Sequence, residues 1–431
     1  PVIKDELIPV TIDNDGTVKK ADLESKWYSY YEKRWANAII LKDESKASNY
    51  KAGSVIPEEE IESYFVWIPK YRYQLWDLGQ YEGLTEIDES KVHEIPIIFG
   101  DYNTSDDKDG ECATPMESGE TGNCKVGNYM THPAFLSIPS TGFWVGKFET
   151  GTTLTSNYNV RNADAVQIKP NVNSWRSIQV ANAFYTSYDY KRNLDSHMIK
   201  NTEWGAVAYL QHSKYGSSTS VRINNNSDYI TGYAANNEPT CGYPNSNTSC
   251  SPYCNDDTCN IAYPNSTLAS TTKNVSGVFD MGGFSTHVMA FMESEKGGPV
   301  SGNNSSKNSG FNGNFSCPTC DNDSSGLTKL TNGYEFPNSK YYDLYNYSNL
   351  DNQFNNRILG DATGEMGPFS IDYKMSWYDD MISQYFYHVY PIATRGYYYN
   401  QGLSAGIFAF QGSYGGAGPY GYKIILTPTS S

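Results

Sequence analysis

The sequence predicts an α+β fold with few helices, many short strands and very long irregular loops. The segment Gly142–Gly151 alternates apolar and polar side chains, which is the period of a half-buried strand. Residues 174–190 and 197–212 are the two segments with a helical pattern. Polar stretches rich in Asn, Ser and Gly separate these elements, and such loops require a scaffold that holds its core together without them.

Two domains are predicted along the chain. Residues 1–75 form a small β-rich N-terminal unit, in which Trp27–Tyr31 and Trp35–Ile40 pair as a hairpin and Tyr64–Pro69 is a buried strand. Residues 76–431 form the larger domain. Its polar insertions are predicted at 101–130, 215–275 and 295–335.

The composition restricts the partners of this protein. The 431 residues carry a net charge of −16, and an acidic surface repels phosphate backbones, so we expect no nucleic-acid partner. No apolar run approaches the roughly 18–20 residues of a membrane helix, so we expect no membrane span in this chain. The 37 tyrosines suit contact surfaces, because each offers a broad apolar face and a hydroxyl. An abundance of strands and loops also raises the tyrosine content.

Eight cysteines lie in polar stretches between positions 112 and 320. An even number in this setting favours disulfides in an oxidising compartment, which indicates an extracellular or cell-surface protein. Zinc is the alternative, because the spacings Cys250–Cys254 and Cys317–Cys320 suit metal ligands, but no histidine is close in sequence. Cys112–Cys124 and Cys317–Cys320 are candidate local pairs, and the four cysteines of 241–259 leave their pairing open. The predicted disulfide cysteines are Cys112, Cys124, Cys241, Cys250, Cys254, Cys259, Cys317 and Cys320.

Four segments, taken in order, resemble the formylglycine-generating-enzyme (sulfatase-modifying factor) family. They are Phe143–Thr150, Asn201–Ala208, Ser276–Gly283, and Arg395-Gly396 followed by Gly421-Tyr422-Lys423. The resemblance implies a C-type-lectin-like fold, with a small twisted sheet, two helices and a loop region that accepts insertions. Within these segments we interpret Glu203-Trp204 as a buried acceptor beside a core aromatic, and Asp280 as a turn residue.

The chain departs from the chemistry of that family. The enzymes carry reactive cysteines near the C-terminal end, whereas no cysteine follows Cys320 here, so the nucleophile or metal ligand is missing. No histidine lies in a metalloprotease pattern, and the acidic pair Asp379-Asp380 is a weak glycosidase candidate. We therefore expect no enzymatic activity and no cofactor. Structural calcium is an option, with oxygen ligands from Asp106–Gly110 or Asp321–Ser325, but neither stretch has an EF-hand spacing.

A closer resemblance is to uncharacterised surface proteins of Firmicutes and to the variable proteins diversified by retroelements, which reuse the lectin-like fold. It rests on Phe65–Pro69, Met198–Leu210, Leu359–Glu365 and the segment from Arg395 to Phe410. In the diversified proteins, exposed side chains of the last ~50 residues contact the ligand from a rigid backbone. The resemblance implies that the C-terminal segment does the same here.

That C-terminal segment supplies the candidate ligand site. Its glycines allow tight bends that push neighbouring side chains outward, and its mixture of Tyr, Ser, Gly and Asn is typical of a paratope. The alternative is a Gly-rich β-meander whose tyrosines pack the core. The predicted ligand-binding residues are Tyr397, Tyr398, Tyr399, Asn400, Gln411, Ser413, Tyr414 and Tyr420.

Two functions fit these features. One is an extracellular ligand-binding or adhesion protein, of the surface or phage receptor-binding type, that binds a protein or glycan on another surface. The other is a structural subunit of a surface filament or phage appendage, which would self-assemble by strand exchange through residues 1–20.

We expect the unreduced, denatured protein to contain no reactive thiols, because paired cysteines do not react with a thiol reagent. Titration with such a reagent should give eight equivalents only after reduction. Eight thiols without reduction, or stoichiometric zinc by elemental analysis, would contradict the disulfide prediction.

Overall fold

The computed structural model describes most of the chain. The described residues are 1–73, 94–99, 115–116, 130–137, 140–235, 260–294, 297–302, 309–314, 327–328, 332–347, 357–358, 360–363, 374–383, 385–387 and 389–429. All eight cysteines and both candidate calcium segments lie outside these residues, so the disulfides and the calcium option stay predictions.

Few helices and many strands make up the described part of the chain, as the sequence predicts. The α-helices are α1 (Val180–Tyr190) and α2 (Asn201–Gln211), each inside a predicted helical segment. The earlier strands are β1 (Ile8–Ile12), β2 (Val18–Lys20), β3 (Asn37–Leu41), β4 (Ile61–Pro69), β5 (Tyr71–Tyr73), β6 (Ile97–Phe99), β7 (Pro115–Met116), β8 (Met130–Thr131), β9 (Gly142–Gly146), β10 (Gly151–Thr152), β11 (Val166–Gln167), β12 (His197–Met198) and β13 (Tyr233–Ala234). The later strands are β14 (Ile261–Ala262), β15 (Ser285–Met292), β16 (Phe311–Asn314), β17 (Leu327–Thr328), β18 (Tyr334–Glu335), β19 (Asp343–Tyr345), β20 (Arg357–Ile358), β21 (Lys374–Met375), β22 (Met381–Ser383), β23 (Ile392–Arg395), β24 (Phe410–Ser413), β25 (Tyr420–Tyr422) and β26 (Ile424–Leu426).

The first large sheet is antiparallel and runs β12–β26–β9–β4–β3–β1–β2. Its central strand β4 is an almost continuous apolar run that is buried along its length, so it needs a partner on each edge. Those partners are β3 on one side and β9 on the other, with Phe65 opposite Gly146. The predicted N-terminal unit 1–75 therefore shares this sheet with strands of the larger domain, and β1–β4 do not pack as a separate unit.

The predicted aromatic hairpin in this region is wrong. Tyr30–Glu32 forms a 3-10 turn instead of a strand, and Lys33 closes it in the left-handed conformation (φ 54°). Tyr30 is held inward because its hydroxyl donates to the Trp67 carbonyl oxygen at 2.6 Å. Of the two strands predicted for the hairpin, only the second forms, and it is β3.

The second large sheet is mixed and runs β19–β15–β23–β24–β22–β21, with β25 parallel to the start of β15. All eight residues of β15 are buried, because α2 packs against this strand. Helix α2 is itself buried on every side. Its Gly205 permits this packing, since a Cβ there would lie 2.1 Å from the Gly360 carbonyl oxygen.

The polar segment 215–275 is only partly an insertion. Residues 236–259 lie outside the described residues, but the flanking parts belong to the core. Ser270, Thr271 and Thr272 are buried, and Asn224 is buried with its amide donating 2.8 Å to the Asp280 carboxylate. Polar composition therefore does not mean surface location here, because these four buried side chains have hydrogen-bond partners.

Arg395 is a fully buried guanidinium that joins β23 to three other segments. Its Nε donates to the Ala409 carbonyl oxygen at 2.9 Å, and Nη1 donates to Asn201 Oδ1 at 2.9 Å and the Asp361 carbonyl oxygen at 2.8 Å. Nη2 donates to the Ala362 carbonyl oxygen at 2.9 Å. Burial lowers the pKa of Arg395 to about 10, so the group stays cationic at neutral pH.

A second buried polar group lies beneath β25. Asp280, in the left-handed conformation (φ 57°), accepts from the Glu149 and Gly232 backbone N–H groups and so stabilises its turn. Lys423 donates to the Phe279 carbonyl oxygen at 3.0 Å. Glu149 accepts from the Thr286 hydroxyl at 2.9 Å, while its Oε2 atom has no hydrogen-bond partner among the described residues. Burial raises the pKa of Glu149 to about 8.

No helix in the described part of the chain combines the length and the apolar character that crossing a bilayer requires.

We expect Arg395→Met to destabilise the protein by about 3–5 kcal/mol, because the substitution leaves several buried acceptors without a donor. Equilibrium urea unfolding measures the change. Arg34→Met is the control, since Arg34 is exposed and pairs with the surface residue Glu32, and it should cost less than about 1 kcal/mol. Equal effects of the two substitutions would contradict the role of Arg395.

We expect the free energy of unfolding to fall as the pH rises, because Glu149 loses its proton. The pKa of Glu149 in the folded protein, about 8, lies above the ordinary value of 4.5. The contribution of Glu149 to the free energy of unfolding is therefore complete below pH 4.5 and is lost as the pH rises through 8. The slope approaches about 1.4 kcal/mol per pH unit at most. Chemical unfolding from pH 5 to 9 should give a flatter profile for Glu149→Gln. Glu59→Gln, at an exposed position, should keep the wild-type profile, and an unchanged profile for Glu149→Gln would refute the prediction.

Candidate functional site

The candidate site begins where β23 ends. Arg395 is buried, and the chain then turns through Gly396 (φ 84°) and Tyr397 (φ 56°), both left-handed. A tyrosine with a positive φ is uncommon, and such conformations persist where the surrounding structure imposes them. The Gln401 N–H donates to the Tyr398 carbonyl oxygen at 3.1 Å and closes the following turn. The turn places three consecutive tyrosines, 397 to 399, at half-buried positions.

One cluster of rings joins this turn to β25. The ring centroids of Tyr397 and Tyr398 are 5.2 Å apart, and those of Tyr398 and Tyr420 are 6.2 Å apart. Burial raises the pKa of Tyr398, and a hydrogen bond with the Tyr420 hydroxyl raises it further. His287 supports Tyr420 from below, with ring centroids 4.5 Å apart. Burial lowers the pKa of His287 to about 3, so this platform is uncharged.

A second cluster lies at the end of β24. The Tyr414 ring packs against the Tyr390 ring at an interplanar angle of 41° with centroids 4.6 Å apart, and the Tyr390 and Tyr387 centroids are 5.5 Å apart. A hydrogen bond between the Tyr390 and Tyr414 hydroxyls, with some burial, raises the pKa of Tyr414 to about 12. Tyr420 is close enough to contribute to the same shift, so the two clusters are neighbours.

A third contact extends the surface towards the segment before α1. Tyr399 packs edge-on against Tyr229, with centroids 5.0 Å apart. The Arg176 guanidinium lies 4.1 Å from the centre of the Tyr229 ring, which is the geometry of a cation–π contact. Arg176 thus places a positive charge at the border of these rings.

We call these half-buried rings the tyrosine surface. Burial and hydrogen bonding raise the pKa of Tyr398 and of Tyr414, so the hydroxyls of these two rings stay protonated at physiological pH and remain hydrogen-bond donors. Its members are Tyr229, Tyr387, Tyr390, Tyr397, Tyr398, Tyr399, Tyr414 and Tyr420.

The other predicted site residues lie beside or beneath this surface. Asn400 is half-buried in the 398–401 turn and accepts from Gln401 Nε2 at 3.2 Å. Gln411 is half-buried on β24, and its Oε1 atom is buried without a hydrogen-bond partner in the described residues. Ser413 is buried, with its hydroxyl 3.1 Å from His287 Nε2 and accepting from the Gly415 N–H. Ser413 therefore lies under the surface, where it positions His287. Its burial differs from the prediction, which placed Ser413 in contact with the ligand.

Tyr229, Tyr387, Tyr390 and Arg176 were not part of the sequence prediction. The run Ser383–Pro391 contains four aromatic residues and a histidine, and this local density is the signal that could have identified Tyr387 and Tyr390. Tyr229 and Arg176 stand in unremarkable polar segments. Only the long-range packing against Tyr399 identifies them.

The described residues offer no obvious catalytic arrangement. The carboxylate of Asp380, considered as a glycosidase group, is buried and accepts from the Phe408 N–H at 2.8 Å, so its geometry is structural. No cluster of three His, Cys, Asp or Glu side chains suited to a metal occurs in this part of the chain.

The segments that carry the family resemblance meet inside the core. The Phe279 N–H donates to the Lys147 carbonyl oxygen at 2.7 Å, and the Thr150 N–H donates to the Tyr422 carbonyl oxygen at 3.0 Å. The Trp204 indole N–H donates to the Ile407 carbonyl oxygen at 2.7 Å, as expected for a core aromatic. Comparison with protein-family models and with curated proteins finds no match to this chain.

Proposed function

We propose that this chain is an extracellular ligand-binding or adhesion protein without catalytic activity, and that it binds through the tyrosine surface. We further propose that the scaffold is C-type-lectin-like, of the formylglycine-generating-enzyme type. The observation that carries the functional proposal is the clustering of eight half-buried tyrosines around β23, β24 and β25. Monomeric proteins seldom gather so many large amphipathic rings at one place without a contact role.

The physical properties of these rings support a binding role. A tyrosine side chain loses little conformational entropy when it is immobilised, and it contributes both apolar area and a hydroxyl. The ring-to-ring contacts hold the side chains in place before a ligand arrives, which lowers the cost of binding. Neutral phenols also avoid the desolvation cost that charged groups would bring to an interface. The ligand that suits this surface is a protein or glycan on another cell or particle.

A filament subunit is the alternative, and the N-terminal strands argue against the predicted route of assembly. β1 pairs with both β2 and β3, so its edges are occupied. The outer edge of β2 is also covered, since the Lys20 N–H donates to the Ser54 carbonyl oxygen and the Gly53 N–H donates back to Lys20. Strand exchange through residues 1–20 would have to break this paired sheet.

We expect Tyr414→Ala to weaken binding by about 1–3 kcal/mol and to leave the melting temperature nearly unchanged, because Tyr414 is a half-exposed ring on a paired strand end. Tyr398→Ala should have the same effect on binding. The ligand is first identified by screening the purified protein against arrayed extracellular proteins and whole cells. Biolayer interferometry then measures the affinity of the wild type and of each variant for that ligand.

Tyr31→Ala is the matched control, because Tyr31 is 77% exposed and lies outside the tyrosine surface. It should bind like the wild type. If Tyr398→Ala and Tyr414→Ala both unfold the protein, the tyrosines serve the core and the proposal fails. Unchanged affinity in both variants would place the binding site elsewhere.

A further inference from the structure

A separate polar cleft opens at the start of α1. Its volume is about 680 Å³, which lies within the range of roughly 300–1,000 Å³ for small-molecule sites. Strand β18 and the Gly310 turn form the opposite wall, since the Tyr334 N–H donates to the Gly310 carbonyl oxygen at 2.9 Å. We call it the amide cleft; its main lining residues are Asn159, Arg161, Gln179, Asn182, Asn332 and Tyr334.

Side-chain amides dominate this cleft. Asn159 is held in place, because its Oδ1 accepts from the Gln179 N–H and from Asn182 Nδ2, both at 2.9 Å. Within the described residues, the side-chain amides of Gln179 and Asn332 make no hydrogen bond with the protein. Each amide can both donate and accept, which matches the paired donor and acceptor character of neighbouring hydroxyl groups.

An aromatic wall faces these amides. The Tyr334 ring packs on Tyr185 with centroids 4.8 Å apart and an interplanar angle of 31°. The Arg161 guanidinium lies over both rings, 4.8 Å from the centre of Tyr185 and 5.7 Å from the centre of Tyr334. Asp189 pairs with Arg161 and fixes its position. The Tyr334 ring, supported by Tyr185 and Arg161, therefore gives the cleft an aromatic wall suited to an apolar ligand surface.

The charged groups at the cleft are joined in one ion-pair network. Among the described residues its lining contains no carboxylate, and Arg161 pairs with Asp189, which also pairs with Arg192. The rest of the protein is acidic, with a net charge of −16, and repels anions. A ligand with many hydroxyls, an apolar C–H face and no negative charge fits the amides, the aromatic ring and the acidic character of the whole protein.

We propose that the amide cleft binds a neutral oligosaccharide, with one sugar face against Tyr334 and hydroxyls on the amides of Gln179 and Asn332. This site is independent of the tyrosine surface, although the Val180 N–H donates to the Gly415 carbonyl oxygen at 3.3 Å and brings the two regions close.

The test uses an array of neutral and sialylated oligosaccharides, followed by calorimetric titration of the neutral glycan that binds best. Tyr334→Ala and Gln179→Ala should each weaken that binding at least tenfold, because they remove the aromatic wall and a free amide. Tyr334→Phe keeps the ring and should bind like the wild type. Asn49→Ala removes an exposed amide outside the cleft and should have no effect.

Absence of binding to every neutral glycan at millimolar concentration overturns the proposal, as does tighter binding of sialylated glycans. Equal affinity of wild type and Gln179→Ala overturns it as well, and this variant remains informative if Tyr334→Ala fails to fold. Tyr414→Ala should leave the glycan affinity unchanged. If Tyr414→Ala loses glycan binding and Gln179→Ala keeps it, the glycan binds at the tyrosine surface.

Discussion

The buried guanidinium of Arg395 fixes how the segments around the tyrosine surface pack together. It hydrogen-bonds to α2 through Asn201, to the loop at Asp361 and Ala362, and to the strand region at Ala409. A buried charge without such partners would cost several kcal/mol, so these segments can only pack together in the arrangement that satisfies it. The arginine thereby sets where β23 ends and where the following tyrosine turn begins.

A second buried polar group gives β25 its position. Asp280 accepts backbone N–H groups from Glu149 and Gly232, and Lys423 reaches the Phe279 carbonyl oxygen. The side chain of Glu149 lies so close to Gly421 that a Cβ at that glycine would meet its Oε1 at 2.4 Å. These contacts tie the last strands of the chain to residues that precede them by more than a hundred positions.

The two candidate binding regions use this rigidity in different ways. The tyrosine surface rests on paired strands and on the neutral His287 platform, so its rings are arranged before any partner arrives. The amide cleft is built on the first turn of α1 and on β18. Each region combines polar and aromatic groups with an arginine: Arg176 borders the tyrosine surface, and Arg161 lines the amide cleft.

The local elements could be predicted from the sequence alone: the two helices, the buried strand β4, the strand β9, and the concentration of tyrosines between 397 and 420. These follow from periodicity and composition, which are properties of neighbouring residues. Three features appear only in the folded chain: β4 pairs with β9, Ser413 is buried beside His287, and Tyr229 packs against Tyr399. Strand register and the pairing of buried polar groups involve residues far apart in the chain, so no local pattern encodes them.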